Sequence, residues 1–130
     1  PWLLAVLRGV AFRLRYLVEE VARLGVAIGS LALAGGGAAI GGLAQLVADI
    51  CARPVYVYAG EETVTRGLYA YACAALDPGD DFAAALARTF STPECSTPSP
   101  ALAGLYGDLY ARYCQSVSYT HLTLPTSDLV

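Results

Sequence analysis

Residues 31–42 read LALAGGGAAIGG, and this stretch constrains the chain more than any other. A glycine inside a helix is disfavoured by about 1 kcal/mol relative to alanine. Three in a row at 35–37, with two more at 41 and 42, therefore mark a boundary between elements. The window from Leu24 to Ala48 carries no charge and is long enough to span a bilayer. Gly25 with Gly29 and Gly37 with Gly41 even offer the GxxxG spacing of packed membrane helices. Against that reading stand seven glycines and no aromatic anchor in the same window. A flexible linker is disfavoured by the patterned apolar segments pressed against the glycines on both sides. What remains is a strand, a glycine turn and a helix, in which backbone amides can approach a ligand closely. The stretch is not a dinucleotide fingerprint, because Ile40 stands where a third glycine is required. Nor is it a phosphate loop of the GxxxxGK type, since the chain has no lysine. A tight packing turn between strand and helix accounts for it almost as well as a nucleotide.

The flanks supply the rest of an α/β reading. Leu3, Val6, Val10, Leu14, Leu17, Val21 and Leu24 recur at helical spacing and predict an amphipathic helix over 3–24, with charged residues on its other faces and Glu19–Arg23 as an i,i+4 pair. Gly25 stops it. Ser30–Ala34 suits a short buried strand. A helix is expected from Ala38 to Ala52, with Leu43, Leu46, Val47 and Ile50 inward and Gln45 and Asp49 outward, ended by Pro54. Val55–Tyr58 (VYVY) has the β-branched and aromatic character of a second strand. Gly60-Glu61-Glu62-Thr63 reads as a turn opening a helix to about Leu76. The DPGDD at 77–81 reads as a turn with Asp80 as N-cap of a helix to Phe90. Ser91–Pro98 reads as a loop, and Ser99-Pro100 as the start of a last helix through about Tyr113.

The formal charge is −3 and the eight basic residues are scattered arginines, which gives no nucleic-acid footprint. The four cysteines lie about twenty residues apart with no CxxC pair, so they read as reduced, mostly buried small side chains of a cytoplasmic protein. The chain has no methionine, and its opening reads as a cut rather than a translation start. Val117–Val130 departs in composition from everything before it, and one choice of codons for it resembles the end of a sequencing-library adapter. That segment is expected to be an artefactual, disordered tail. It contains His121, the single histidine, which leaves 1–116 without an imidazole for catalysis or metal binding.

Four segments carry a resemblance when taken together: GVAFRLRYLVE at 9–19, LALAGGGA at 31–38, QLVADICARPV at 45–55 and EETVTRG at 61–67. In order and spacing they resemble the C-terminal domain of the FGGY carbohydrate kinases, over nearly all of 1–115, and the TRG at 65–67 resembles the xylulose- and gluconate-kinase side of that family. It implies an actin-like (ribonuclease H-like) ATPase domain, truncated at its N-terminus, with two short parallel strands and about five helices. It also implies a nucleotide-binding lobe, with ATP and Mg²⁺ as cofactors of the full-length enzyme and a sugar or polyol as phosphoryl acceptor.

By position, the resemblance assigns nucleotide-binding backbone to Gly35, Gly36, Gly37 and Ala38. Gln45, Asp49 and Gly67 match further family positions, although an exposed helix face accounts for the first two and packing for the third. Arg8, Ile40 and Leu43 depart from the pattern, standing where the family usually has an acid, a serine or asparagine, and a tryptophan. The catalytic aspartate and the sugar-binding residues are expected upstream of Pro1. Phosphoryl transfer needs both walls of a cleft, so the fragment is expected to be inactive and to self-associate through apolar surface. Two other readings stay open: a module of another actin-like ATPase, and a small membrane-associated protein built on 24–48.

Overall fold

The computed structural model describes residues 2–58, 63–76, 82–89 and 92–122. Five helices accompany a small mixed sheet. Helix α1 (Trp2–Arg23) leads to strand β1 (Leu31–Ala34), a 3₁₀ turn (Gly36–Ala39), α2 (Leu43–Cys51) and β2 (Val55–Tyr58). Then follow α3 (Thr63–Leu76), α4 (Phe82–Thr89), β3 (Glu94–Ser96), a second 3₁₀ turn (Pro100–Leu102) and α5 (Ala103–Leu122). The expected turns at Gly60–Glu62 and 77–81 lie outside the described residues.

β1 and β2 run parallel, with Leu31 opposite Val55 and Ala34 opposite Tyr58. The third strand is an addition to the expected pair. β3 lies antiparallel to β2, within the segment read as a loop. Strand order is β1-β2-β3, so β2 is central. One face of the sheet presents Leu31, Leu33, Val55 and Val57 to a helical layer, and the other presents Ala32, Ala34, Tyr56 and Tyr58. β1 is therefore not the fully buried strand expected, because its two alanines are exposed.

The core lies between that first face and α1, α2 and α5. Ile50 and Val55 are its largest fully buried side chains, joined by Ala11, Phe12, Leu43, Leu46, Val47, Ala48, Cys51, Tyr106 and Tyr110. Phe12 sits 6.0 Å from the Tyr110 ring and 5.5 Å from that of Tyr113, which fastens α5 to α1. Arg15 joins three helices. It pairs with Glu19 at 3.0 Å, donates to the Ile50 carbonyl in the last turn of α2 at 3.1 Å, and lies over the Tyr110 ring. A cation in that last turn also complements the helix dipole. Tyr110 Oη closes the set by donating to Glu19 Oε2 at 2.9 Å. Glu19 is thus held by Arg15 and not by Arg23, which pairs with Glu20 instead.

Helix α1 forms where its periodicity predicts, but the covered side is displaced. Ala11, Phe12 and Val18 are buried, with Leu7 and Leu14 packed beside them. Leu3, Val6, Val10, Leu17 and Leu24, on the apolar stripe that the spacing marks, are exposed. The apolar arc is wider than the surface that α2 and α5 can cover. α3 and α4 pack on each other through Tyr71 and Phe82, whose rings lie 4.6 Å apart, and their Ala70 and Ala85 are fully buried. All four cysteines are free thiols, but only Cys51 is buried, and Cys95 is exposed. α5 continues past Tyr113 to Leu122, since no glycine or proline interrupts 108–122.

Candidate functional site: the glycine turn after the first strand

β1 ends at Ala34, and the chain then leaves the sheet through Gly35, at φ 74° and ψ −163°. Most side chains avoid that region, so glycine is required there for conformational reasons. Gly36–Ala39 then make one 3₁₀ turn. Ala38 N–H donates to Gly35 C=O at 3.0 Å, and Ile40 N–H to Gly37 C=O at 3.2 Å. The turn's first two amides, those of Gly36 and Gly37, have no carbonyl within the turn to reach, and Gly35 has no side chain to cap them. Ala38 is buried and its amide is committed to the turn, so it anchors this segment from below.

The helix expected from Ala38 begins instead at Leu43. Gly42, in the left-handed conformation at φ 80°, is its N-cap and separates the two helical pieces. Two successive helical starts, each capped by a glycine, therefore occupy the segment. A Cβ built on Gly35, Gly36, Gly37 or Gly42 would meet nothing within 4 Å. Among the described residues no other part of the chain packs against these positions, and Gly35 is required by the conformation of the turn itself. Gly67, in α3, likewise has open space where a Cβ would be.

Two openings lie beside the segment. A cavity of about 640 Å³ is lined by Ala32 and Ala34 of β1, Tyr58 of β2, Thr63 at the start of α3, the Ala83, Leu86 and Ala87 face of α4, and Thr92 and Pro93. A groove of about 340 Å³ lies on the helical side, between Leu4 and Leu7 of α1, the Gly41–Leu43 start of α2 with Gln45, Leu46 and Asp49, and Tyr106 of α5. Both volumes fall within the rough 300–1,000 Å³ range of small-molecule sites. Both contain residues at the carboxyl ends of parallel strands or the amino ends of the helices that follow, where open α/β sheets bind ligands. Gly35–Ala38 lie in the chain between Ala34 of the first lining and Gly41 of the second, and line neither. Tyr106 and Leu4 could not be assigned to the groove from sequence, because nothing local marks two residues a hundred positions apart as neighbours.

Gln45 and Asp49 share a face of α2, but only Gln45 is exposed. Asp49 is buried, 7% accessible, which corrects its reading as an outward residue. Its Oδ1 accepts from Ser99 N–H at 2.7 Å and from Gln45 Nε2 at 2.9 Å, and the same Gln45 amide donates to Thr97 C=O at 2.8 Å. A carboxylate receiving a backbone N–H in a buried setting makes a strong charge-assisted bond. Of the positions that depart from the family pattern, Leu43 is in the core, Ile40 is 43% exposed, and Arg8 is partly covered, with a buried Nε lacking a hydrogen-bond partner. Among the described residues no group of three histidine, cysteine or acidic side chains could hold a metal ion, and no helix is long and apolar enough to cross a membrane. The membrane reading of 24–48 is set aside, since those residues form a strand, a turn and a helix.

Comparison with known proteins agrees with this architecture. Residues 2–76 match the profile described as the FGGY family of carbohydrate kinases, C-terminal domain. The match takes in α1, the glycine turn, α2, both parallel strands and α3, and is shorter than the resemblance traced over 1–115. No curated protein matches the chain. With more than half of its residues matched in this order, the chain belongs to the FGGY family of carbohydrate kinases, as part of their C-terminal domain.

Proposed function

We propose that residues 1–116 are the nucleotide-binding part of an ATP-dependent carbohydrate kinase, and that 117–130 add nothing to it. The observation that carries this reading is the open turn at Gly36 and Gly37. Two amides free of the turn's own bonding stand at the carboxyl end of a parallel strand, with nothing within 4 Å of where their side chains would be. Such amides suit phosphate oxygens. The apolar groove formed by Leu4, Leu7, Leu43, Leu46 and Tyr106 suits a planar base. ATP thus lies with its phosphates over Gly35–Gly37 and its adenosine toward Gly41 and Gly42. The residues described here do not fit a magnesium ion by themselves, so Mg²⁺ would arrive with the nucleotide and be held by the rest of the enzyme.

The sugar or polyol, the catalytic aspartate and the second wall of the cleft belong to the other lobe in this reading. The chain alone then binds ATP weakly and transfers no phosphoryl group. A cytoplasmic setting accompanies that role. The test is titration of the 130-residue chain with ATP, followed by amide chemical shifts, beside an assay of ATP-dependent phosphorylation of xylulose and gluconate. The expected result is shifts centred on 35–43 and 63–67 with no turnover. Shifts elsewhere, or none, would overturn the nucleotide reading, and turnover would overturn the claim of inactivity.

A further inference from the structure

Asp49 and Gln45 sit on the groove, yet the atoms the structure pairs them with belong to the segment that enters α5. Ser99 N–H and Thr97 C=O are backbone groups some fifty residues away in sequence, and both are held from α2. Ser99 precedes the 3₁₀ turn Pro100–Leu102, which feeds directly into α5 and so into Tyr106, the wall of the groove facing Leu4 and Leu7. Among the described residues, Asp49 and Gln45 provide the side-chain hydrogen bonds that bind the 97–99 segment to the helical layer.

We infer that Asp49 and Gln45 are positioning residues. They clasp the 97–99 segment to α2, which sets where α5 begins and holds Tyr106 as the third wall of the groove. This inference rests on the nucleotide reading above for the groove's ligand, but not for the clasp itself. It assigns the two side chains a role that acts through Tyr106 instead of through contact with the nucleotide. It also links the matched segment 2–76 to the chain beyond it, since the clasp joins α2 to residues 97–106.

Three variants of the full 130-residue chain separate the possibilities. Asp49→Leu keeps a branched side chain of four heavy atoms, somewhat larger, and removes the acceptor. Asp49→Asn keeps an acceptor oxygen for Ser99 N–H. Ser99→Pro removes the donor N–H and the hydroxyl and puts a ring methylene toward the Asp49 oxygen, at a residue whose φ of −84° is close to what proline requires. Amide hydrogen exchange and ATP titration are measured on each. The expected result is faster exchange confined to 99–106 in Asp49→Leu and Ser99→Pro, with α1 and the rest of α2 still protected, and near wild-type exchange in Asp49→Asn. ATP affinity should fall roughly tenfold in the first two, the scale of one charge-assisted hydrogen bond, and change little in the third. Exchange that rises evenly across the core would overturn the inference, because the carboxylate would then only add global stability. So would loss of ATP binding in Asp49→Asn with Ser99→Pro unaffected, which would place Asp49 against the nucleotide. If the wild type does not respond to ATP, the nucleotide reading fails and the exchange pattern alone decides the clasp: local loss sustains it, even loss refutes it.

Discussion

At φ 74° and ψ −163°, Gly35 occupies a region that costs other residues about 1–3 kcal/mol, whereas Gly36 has no such requirement and faces open space. The two should therefore separate stability from binding. Gly35→Ala is expected to lower the melting temperature by several degrees, on the scale of that strain. Gly36→Val should leave it nearly unchanged while abolishing the ATP-induced amide shifts, because a branched side chain would fill the space over the turn. Equal ATP responses in wild type and Gly36→Val would show that the open turn is not used. Another residue-scale consequence concerns Cys51. Burial pushes its thiol up to about 11 from 9.0, with nearby Arg15 and Arg53 opposing the shift. Burial and its hydrogen bonds also push the Tyr110 hydroxyl upward. Each group keeps its proton in the folded chain after the unfolded chain has lost its own, so the folded state binds more protons and stability falls with rising pH. The Cys51 contribution is complete below about pH 9 and disappears as pH passes about 11. Urea midpoints should decline across that window, and Cys51→Ala should flatten the decline; an unchanged slope in the variant would contradict the assignment.

Among the elements, α1 shows both what patterning reveals and what it leaves open. Apolar residues at three- and four-residue spacing are enough to predict the helix, and its limits agree within a residue or two of Trp2–Arg23. The pattern does not say which part of a wide apolar arc a neighbour covers. Here α2 and α5 take the side with Ala11 and Val18, and Val6, Val10 and Leu17 stay 53%, 59% and 46% exposed beside a shallow groove with Arg13. An uncovered apolar stripe of that length drives association. Sedimentation velocity at micromolar concentration should show self-association, and binding of a hydrophobic dye should accompany it. Val6→Glu with Val10→Lys should reduce both and leave the melting temperature within a few degrees. A wild-type chain that stays monomeric and binds no dye would refute this. β3 was illegible for a different reason. STPECSTP is rich in turn residues, and three residues of strand are recruited by pairing with β2, a tertiary effect that local propensity does not contain.

For the whole molecule, the glycine turn and the two parallel strands were legible because each is marked by residues within its own short window, and the family because four such windows follow in order. The burial of Asp49 was not, since its partner is a backbone amide at Ser99, and neither was the groove, which needs Tyr106 beside Leu4. The same long-range dependence sets the folding unit. The family match ends at residue 76, yet two of the buried core side chains, Tyr106 and Tyr110, come from α5, and Phe12 packs on Tyr110 and Tyr113. Removing α5 would uncover Phe12, and would free the Glu19 and Arg15 groups that Tyr110 engages. Losing two buried aromatic side chains costs about 3–5 kcal/mol each, comparable to the entire stability of a small domain. A chain ending at residue 102 is therefore expected to show no cooperative thermal transition by circular dichroism. Truncation after Ser116 should behave differently. α5 packs on the described core through Tyr106, Leu109, Tyr110, Tyr113 and Cys114, all of which remain, so the melting temperature should stay within a few degrees while helical signal falls by one to two turns. A large drop on removing 117–130 would mean that segment is part of the folded domain, and a cooperative transition in the 102-residue chain would mean α5 is dispensable.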